Sequence, residues 1–121
     1  MNQSQDPGAI GVSGFAAARI INPKTARSQA IGGIVGGIGM ALLERTHWDV
    51  RNGRVINANL ADIPALEAFF VDEQDTHANP LGVKGLAELS LVGCAAAVAN
   101  AVAHATGKRV RDLPITPEKL L

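Results

Sequence analysis

Apolar side chains recur every three or four residues between about residues 26 and 44, which is the spacing of one face of a helix. These positions are Ile31, Ile34, Val35, Ile38, Ala41 and Leu42. The hydroxyl of Thr25 or of Ser28 can cap the N-terminus. The segment also contains five glycines, each of which costs about 1 kcal/mol relative to alanine inside a helix. We therefore expect another backbone to pack closely against the Gly-x-x-x-Gly pairs at 32/36 and 33/37.

A second helix is predicted over about residues 90–106, where Ala and Val predominate and Gly107 provides a C-cap. Its side chains are small on every side, so we expect the helix to be deeply buried. Thr116 followed by Pro117 gives an N-cap and a proline at the first helical position, which predicts a short C-terminal helix ending at Leu121.

Extended structure is predicted for three segments. Residues 9–21 mix apolar and small side chains and end at Asn22-Pro23. Residues 65–71 are apolar and bulky, as in a strand covered on both faces. Residues 49–56 predict a hairpin in which Asn52-Gly53 supplies the positive φ of a two-residue turn. The predicted fold is α+β, with two main helices packed on a small sheet.

Length and composition indicate one domain over residues 1–121, with residues 1–7 frayed. The chain has 121 residues, of which 47% are hydrophobic and 18% charged, enough to bury a single core. Aromatic residues make up only 3%, so the core must depend on close approach of small residues. Small apolar faces of this kind favour a partner chain.

Charge and targeting signals narrow the functional classes. The formal net charge is zero, and the basic residues of 108–111 are too few to indicate nucleic-acid binding, so we interpret them as solvated surface. The single Cys94 favours a reducing compartment. No signal peptide is visible, and the weakly polar run 30–43 is shorter than the roughly 20 residues that span a bilayer. We expect a cytoplasmic protein without a membrane or nucleic-acid partner.

Few residues carry candidate chemistry. The three histidines, His47, His77 and His104, lack metal-ligand spacing, and the glycine run has no following Gly-Lys-Ser/Thr for phosphate binding. Glu88 has two interpretations. It is a helix-start carboxylate stabilised by the helix dipole, or it is a general base, since it follows the glycine-punctuated Gly82–Gly85 turn and precedes an apolar run.

Four stretches, in order, resemble one family. They are RIINPKTARSQAIGGIVGGIGMAL, GRVINANLAD, ANPLGVKGLAE and ANAVAHATGKRVRDLPITPEKLL. Together, over about residues 18–121, they are similar to the C-terminal part of the molybdopterin-binding large subunit of the xanthine dehydrogenase and aldehyde oxidoreductase (molybdenum hydroxylase) family.

The resemblance implies a chemistry. Family members hold a molybdopterin cofactor and hydroxylate aldehydes or N-heterocycles, with water as the oxygen source. The glutamate of the glycine-rich loop acts as the base, and by resemblance it is Glu88. Gln29 matches a glutamine that contacts the pterin, and Gly85 is a further expected cofactor contact. Electron transfer in the family implies iron-sulfur and flavin partner subunits.

The chain also departs from the family's pattern. The family has Gly immediately before the glutamate, where this chain has Ala87. If that position needs a positive φ or close contact with the cofactor, the methyl group costs stability or misplaces Glu88. A stretch after Asp62 is shorter, and the family's subunit is much longer. We therefore expect a stand-alone fragment or split piece, inactive alone, that joins the rest of a large subunit or forms a homo-oligomer. The alternatives are a non-catalytic scaffold that retains the fold and the product of a decayed gene.

Overall fold

The computed structural model describes residues 11–45, 47–55 and 66–121, with the backbone alone for Val55. The strands are β1 Gly11–Phe15, β2 Trp48–Asp49, β3 Arg54–Val55 and β4 Leu66–Phe70. The helices are α1 Pro23–Leu42, α2 Leu89–Val92 and α3 Cys94–Thr106, followed by a 3-10 helix at Pro117–Leu120. This combination agrees with the predicted α+β class.

The described residues fall into two compact units. One lies within Met1–Val35 and Ile63–Val92, and the other within Gly36–Asp62 and Gly93–Leu121. The single domain over residues 1–121 stays a prediction, and residues 1–7 lie outside the described part of the chain.

Helix α1 begins at Pro23, three residues before the predicted start. The side-chain Oδ1 of Asn22 accepts hydrogen bonds from the backbone N–H groups of Lys24 (3.1 Å) and Thr25 (3.3 Å). Asn22 is therefore the N-cap in place of Thr25 or Ser28, and Pro23 occupies the first helical position, where its missing N–H costs nothing. The Asn-Pro pair that was expected only to end an extended segment also starts this helix.

The glycine face of α1 has the expected close approach at Gly33. A Cβ added to Gly33 would clash with Oγ of Ser90 and would lie 3.1 Å from the backbone nitrogen of Leu91. The neighbouring Gly32 has no such contact within 4 Å. The prediction of tight packing is therefore confirmed at Gly33, where the partner is the start of α2.

The second predicted helix is divided at Gly93 into α2 and α3. Its C-cap is confirmed, because Gly107 has φ +73° and donates its N–H to the Ala103 carbonyl. The expected deep burial is wrong, since no residue of α3 is buried and Val92 of α2 is 80% exposed. The residues of α3 are half-buried or exposed. By length and composition alone, Leu89–Thr106 is apolar enough to cross a membrane.

The two five-residue strands form a parallel pair, with Gly11 opposite Leu66 and Phe15 opposite Phe70. Strand β4 lies within the predicted segment 65–71. It is not covered on both faces, however: Ala68 is buried whereas Phe69 is 54% exposed. The large apolar side chains of this strand therefore indicated a strand correctly but overstated its burial.

Strands β2 and β3 are antiparallel, but the two-residue Asn-Gly turn is not confirmed. Asp49 pairs with Arg54, so residues 50–53 form a four-residue connection. Gly53 has the expected positive φ of +70°, and its N–H donates to the Asp49 carbonyl over 2.8 Å. Asn52 instead accepts the Arg54 N–H with its side-chain oxygen over 3.0 Å, which stabilises the wider turn.

The predicted short C-terminal helix is present as a 3-10 helix, Pro117–Leu120. Thr116 is extended, with φ −88° and ψ 157°, and Pro117 takes the first helical position as predicted. Lys108 of the basic cluster is exposed and donates through Nζ to the backbone oxygens of Leu120 (2.8 Å) and Leu121 (2.6 Å). The cluster is a solvated surface, as expected, and it also holds the end of the described chain.

Candidate functional site

The glycine-rich loop, residues 82–88, takes its shape from Asn79 and Gly82. The side-chain amide of Asn79 donates to the Val83 carbonyl over 2.7 Å, and the Gly82 N–H donates to the Asn79 carbonyl over 2.9 Å. Gly82 is buried and has φ +64°, a conformation that side chains rarely adopt. Glycine is therefore required at 82. At Gly85 an added Cβ would meet no atom within 4 Å.

Lys84, at the start of this loop, forms ion pairs with two carboxylates. Its Nζ lies 2.8 Å from Oε1 of Glu73 and 3.0 Å from Oδ2 of Asp75. The hydrogen bonds from Lys84 hold the pKa of Glu73 and the pKa of Asp75 below their ordinary values. The same bonds, that with Glu73 first, raise the pKa of Lys84. The Lys84 ammonium group and the carboxylates of Glu73 and Asp75 therefore stabilise one another in their charged forms.

Each carboxylate also binds backbone amides. Oε2 of Glu73 accepts the N–H of Ala18 over 3.3 Å, and Oδ1 of Asp75 accepts those of His77 (3.1 Å) and Ala78 (3.2 Å). Ala18 is 2% exposed and has φ +54°, an uncommon conformation for a residue with a side chain. The Glu73 hydrogen bond helps to hold this backbone in place.

The other end of the loop is held by α1. Nε2 of Gln29 donates to the carbonyl oxygen of Ala87 over 3.1 Å. The structure therefore brings together two positions that were selected separately from the sequence, since Ala87 directly precedes Glu88. Ala87 does not have a positive φ, so the strain expected from its methyl group is absent.

Glu88 lies in the turn before α2, and its carbonyl accepts the Leu91 N–H over 3.0 Å. The residue is exposed in this chain. The apolar run that follows it therefore does not enclose the carboxylate within the described structure.

A cleft of ≈ 410 Å³ lies beside the loop. Its walls include Gln29 and Thr25 of α1, and Lys84 and Leu86 of the loop. The side-chain amide of Gln29 has a second N–H and an acceptor oxygen, so it can bind a polar group there. The backbone N–H groups of Gly85, Leu86 and Ala87 have no hydrogen-bond partner in the described part of the chain.

Sequence reasoning missed the two carboxylate partners of Lys84. Glu73 and Asp75 lie in the polar segment 72–79, to which the sequence analysis assigned no role. No local pattern identified them, because a charged loop residue such as Lys84 is ordinarily solvated and its spacing names no partner.

Comparisons with known proteins agree with this arrangement of motifs. Residues 13–69 match the family model described as the molybdopterin cofactor-binding domain. The chain is 50% identical, over 114 residues, to the aldehyde oxidoreductase molybdenum-binding subunit PaoC of Escherichia coli. It belongs to the molybdenum hydroxylase family. The match covers 88% of this chain and 16% of PaoC, so the chain spans about one sixth of that relative's length.

Two further molybdenum hydroxylases are similar to this chain. The putative xanthine dehydrogenase molybdenum-binding subunit XdhA of Escherichia coli is 39% identical, covering 84% of this chain and 14% of XdhA. The solved structure of the aldehyde oxidoreductase from Desulfovibrio gigas superposes with a TM-score of 0.75 at 29% identity, covering 91% of this chain and 12% of that enzyme. The fold described above is therefore that of one part of a molybdenum hydroxylase.

The residues beside the cleft fit a molybdopterin cofactor. A pterin presents several hydrogen-bond donors and acceptors, which the side-chain amide of Gln29 in the wall of the cleft complements. In the described ranges, no group of three His, Cys, Asp or Glu side chains could hold a metal ion directly. The shortened stretch near Asp62 lies outside the described residues.

Proposed function

We propose that this chain is the part of a molybdenum hydroxylase that supplies the general base, Glu88, and the cofactor contacts Gln29 and Gly85. The observation that carries the proposal is the hydrogen bond of 3.1 Å between Nε2 of Gln29 and the carbonyl of Ala87, residues 58 positions apart in sequence. It joins the segment matched by the cofactor-binding family model to the residue that precedes Glu88.

The reaction is the hydroxylation of an aldehyde or an N-heterocycle. The substrate C–H and one water become C–OH, with release of two protons and two electrons. When bound, the cofactor supplies the two-electron oxidant. Glu88, as a carboxylate, accepts one of the protons, Gln29 orients the pterin, and the N–H groups around Gly85 bind an acceptor on it.

Turnover requires the rest of the large subunit, since the chain spans 16% of PaoC and leaves Glu88 exposed. Electrons then leave through iron-sulfur and flavin subunits. One related protein is named as the gamma subunit of the 6-hydroxypseudooxynicotine dehydrogenase complex. That name supports a multi-subunit enzyme here. The compartment that suits this assembly is the cytoplasm.

The test is Glu88→Gln in the assembled enzyme, purified from its native source. Removing the base should abolish turnover and leave the molybdenum content unchanged, because the carboxylate takes part in proton transfer and not in holding the metal. Elemental analysis and steady-state oxidation of aldehyde and N-heterocycle substrates measure both quantities.

Glu67→Gln is the matched control, since Glu67 is an exposed glutamate on β4. It should retain full activity. Unaltered turnover in Glu88→Gln would remove Glu88 from the mechanism. An assembly that contains the chain but oxidises neither substrate class would favour the scaffold alternative.

A further inference from the structure

We propose that Lys84 is a positioning residue for Glu88, holding the start of the glycine-rich loop while Gln29 holds its end. This inference rests on the function proposed above. It concerns the placement of the base and not its chemistry.

Lys84 connects to two carboxylate side chains. Its Nζ contacts Glu73 at 2.8 Å and Asp75 at 3.0 Å, in side chains that are about one third exposed. Because Lys has three donors, one ammonium group can satisfy both carboxylates at once. A pair of carboxylates sharing one cation also repel each other less than they would without it.

The two carboxylates connect Lys84 to separate backbone segments. Glu73 accepts the N–H of Ala18, and the neighbouring Arg19 donates its N–H to the Gly82 carbonyl over 2.9 Å. Asp75 accepts two N–H groups of the turn that leads to Asn79. Lys84 therefore joins the segment after β1, the turn at 75–79 and the glycine-rich loop.

Only the segment from Gly85 to Ala87 lies between this anchor and the Gln29 hydrogen bond. These residues use none of their N–H groups within the described part of the chain. The Leu86 carbonyl accepts the Leu89 N–H over 2.9 Å and the Glu88 carbonyl accepts the Leu91 N–H over 3.0 Å, so α2 holds the chain after Glu88. Lys84 and the Gln29 contact hold the chain before it. A displacement of a catalytic group by about 1 Å can cost about a hundredfold in rate.

The test compares Lys84→Met, which removes the charge, with Lys84→Arg, which preserves it and can bind both carboxylates. In the assembled enzyme, Lys84→Met should lower kcat by about tenfold to a hundredfold with little change in KM and unchanged molybdenum content. Lys84→Arg should recover most of the lost activity. The control is Lys24→Met, because Lys24 is exposed and forms no ion pair within the described residues.

A second readout does not depend on activity. In this chain alone, a glutamate-specific protease should cleave after Glu88 several-fold faster in Lys84→Met than in the parent or in Lys24→Met, because the loop opens more often. Equal cleavage rates and a kcat within about twofold of the parent would overturn the proposal. A loss of molybdenum in parallel with kcat would also overturn it. So would an equal loss of activity in Lys84→Met and Lys84→Arg.

The Glu88→Gln result separates the two proposals. An inactive Glu88→Gln together with an active Lys84→Met would leave Glu88 as the base and refute the positioning role alone. An active Glu88→Gln would refute the proposed function, whatever Lys84→Met does.

Discussion

Helices α1 and α3 are both rich in small apolar residues, yet they differ sharply in burial. In α1, Ala30 is 0% exposed and Ile34 is 3% exposed, and Gly33 lies directly against Ser90. In α3 no residue is buried. The difference teaches that a small-residue surface predicts a capacity for close packing, whereas burial depends on whether the packing partner belongs to the same chain.

The exposed surface of α3 agrees with the proposed function. The chain spans about one sixth of the length of PaoC, and in the proposed large subunit further surfaces can pack on α3. Exposed apolar surface of this extent favours association. The rest of the large subunit is the partner that fits the proposal.

The largest expected effect comes from placing a charge at matched positions of the two helices. Ala30→Glu buries an unpaired carboxylate and should lower the free energy of unfolding by about 3 kcal/mol or more. Ala97→Glu lies on the exposed α3 and should change it by no more than about 0.5 kcal/mol. Urea denaturation of both variants measures the two values.

The same pair distinguishes packing within the chain from packing against a partner. Ala97→Glu should fold normally and yet fail to co-purify with the rest of the subunit. Normal co-purification would show that this face of α3 is not an interface. Equal destabilisation by the two substitutions would remove the contrast between the helices.

A smaller effect is expected from the adjacent glycines of α1. Gly33→Ala should destabilise by about 1–3 kcal/mol, because the new methyl meets Ser90 Oγ. Gly32→Ala, in open space, should stabilise by about 0.5–1 kcal/mol through helix propensity. Thermal unfolding measures the sign of the stability change in each variant. Changes of the same sign at both positions would contradict the close contact at Gly33.

Ser90 allows that contact to be examined from the other side. Its buried Oγ has no hydrogen-bond partner among the described residues. Ser90→Ala should therefore change the free energy of unfolding little. Combined with Gly33→Ala, it should reduce the destabilisation that Gly33→Ala causes alone. Strict additivity of the two substitutions would indicate that the side chains do not meet.

The smallest expected effect is electrostatic and depends on pH. The lowered pKa values of Glu73 and Asp75 mean that their contribution to stability is present above the ordinary carboxyl pKa and is lost as pH falls through the lowered values. Lys84 has a raised pKa, so its contribution is lost only as pH rises through that raised value. The Tm difference between the parent and Lys84→Met should therefore be largest near neutral pH and vanish in acid.

The control for this pH dependence is Asp112→Asn. Asp112 is 79% exposed, and its pKa is lowered by its hydrogen bond with Lys119 alone among side-chain partners. Its substitution should change the acid part of the Tm profile less than Lys84→Met does. A Tm difference for Lys84→Met that persists in acid would show that the ion pairs are not its cause.

The sequence predicted the helical face of α1, the Gly107 cap and the turn of the glycine-rich loop. These features depend on local spacing and on residues with special backbone conformations. It did not predict the partners of Lys84, since Glu73 and Asp75 meet it only through the folding of a polar loop. It also did not predict the exposure of α3 or of Glu88. Their cover, in the proposed assembly, belongs to a part of the subunit outside this chain.

The most direct test of the proposed function is the molybdenum content of the protein purified from its native source, followed across gel filtration. The account predicts that molybdenum elutes with this chain together with a second polypeptide that completes the large subunit. A metal-free homo-oligomer would contradict it, and would leave the glycine-rich loop as a turn before α2.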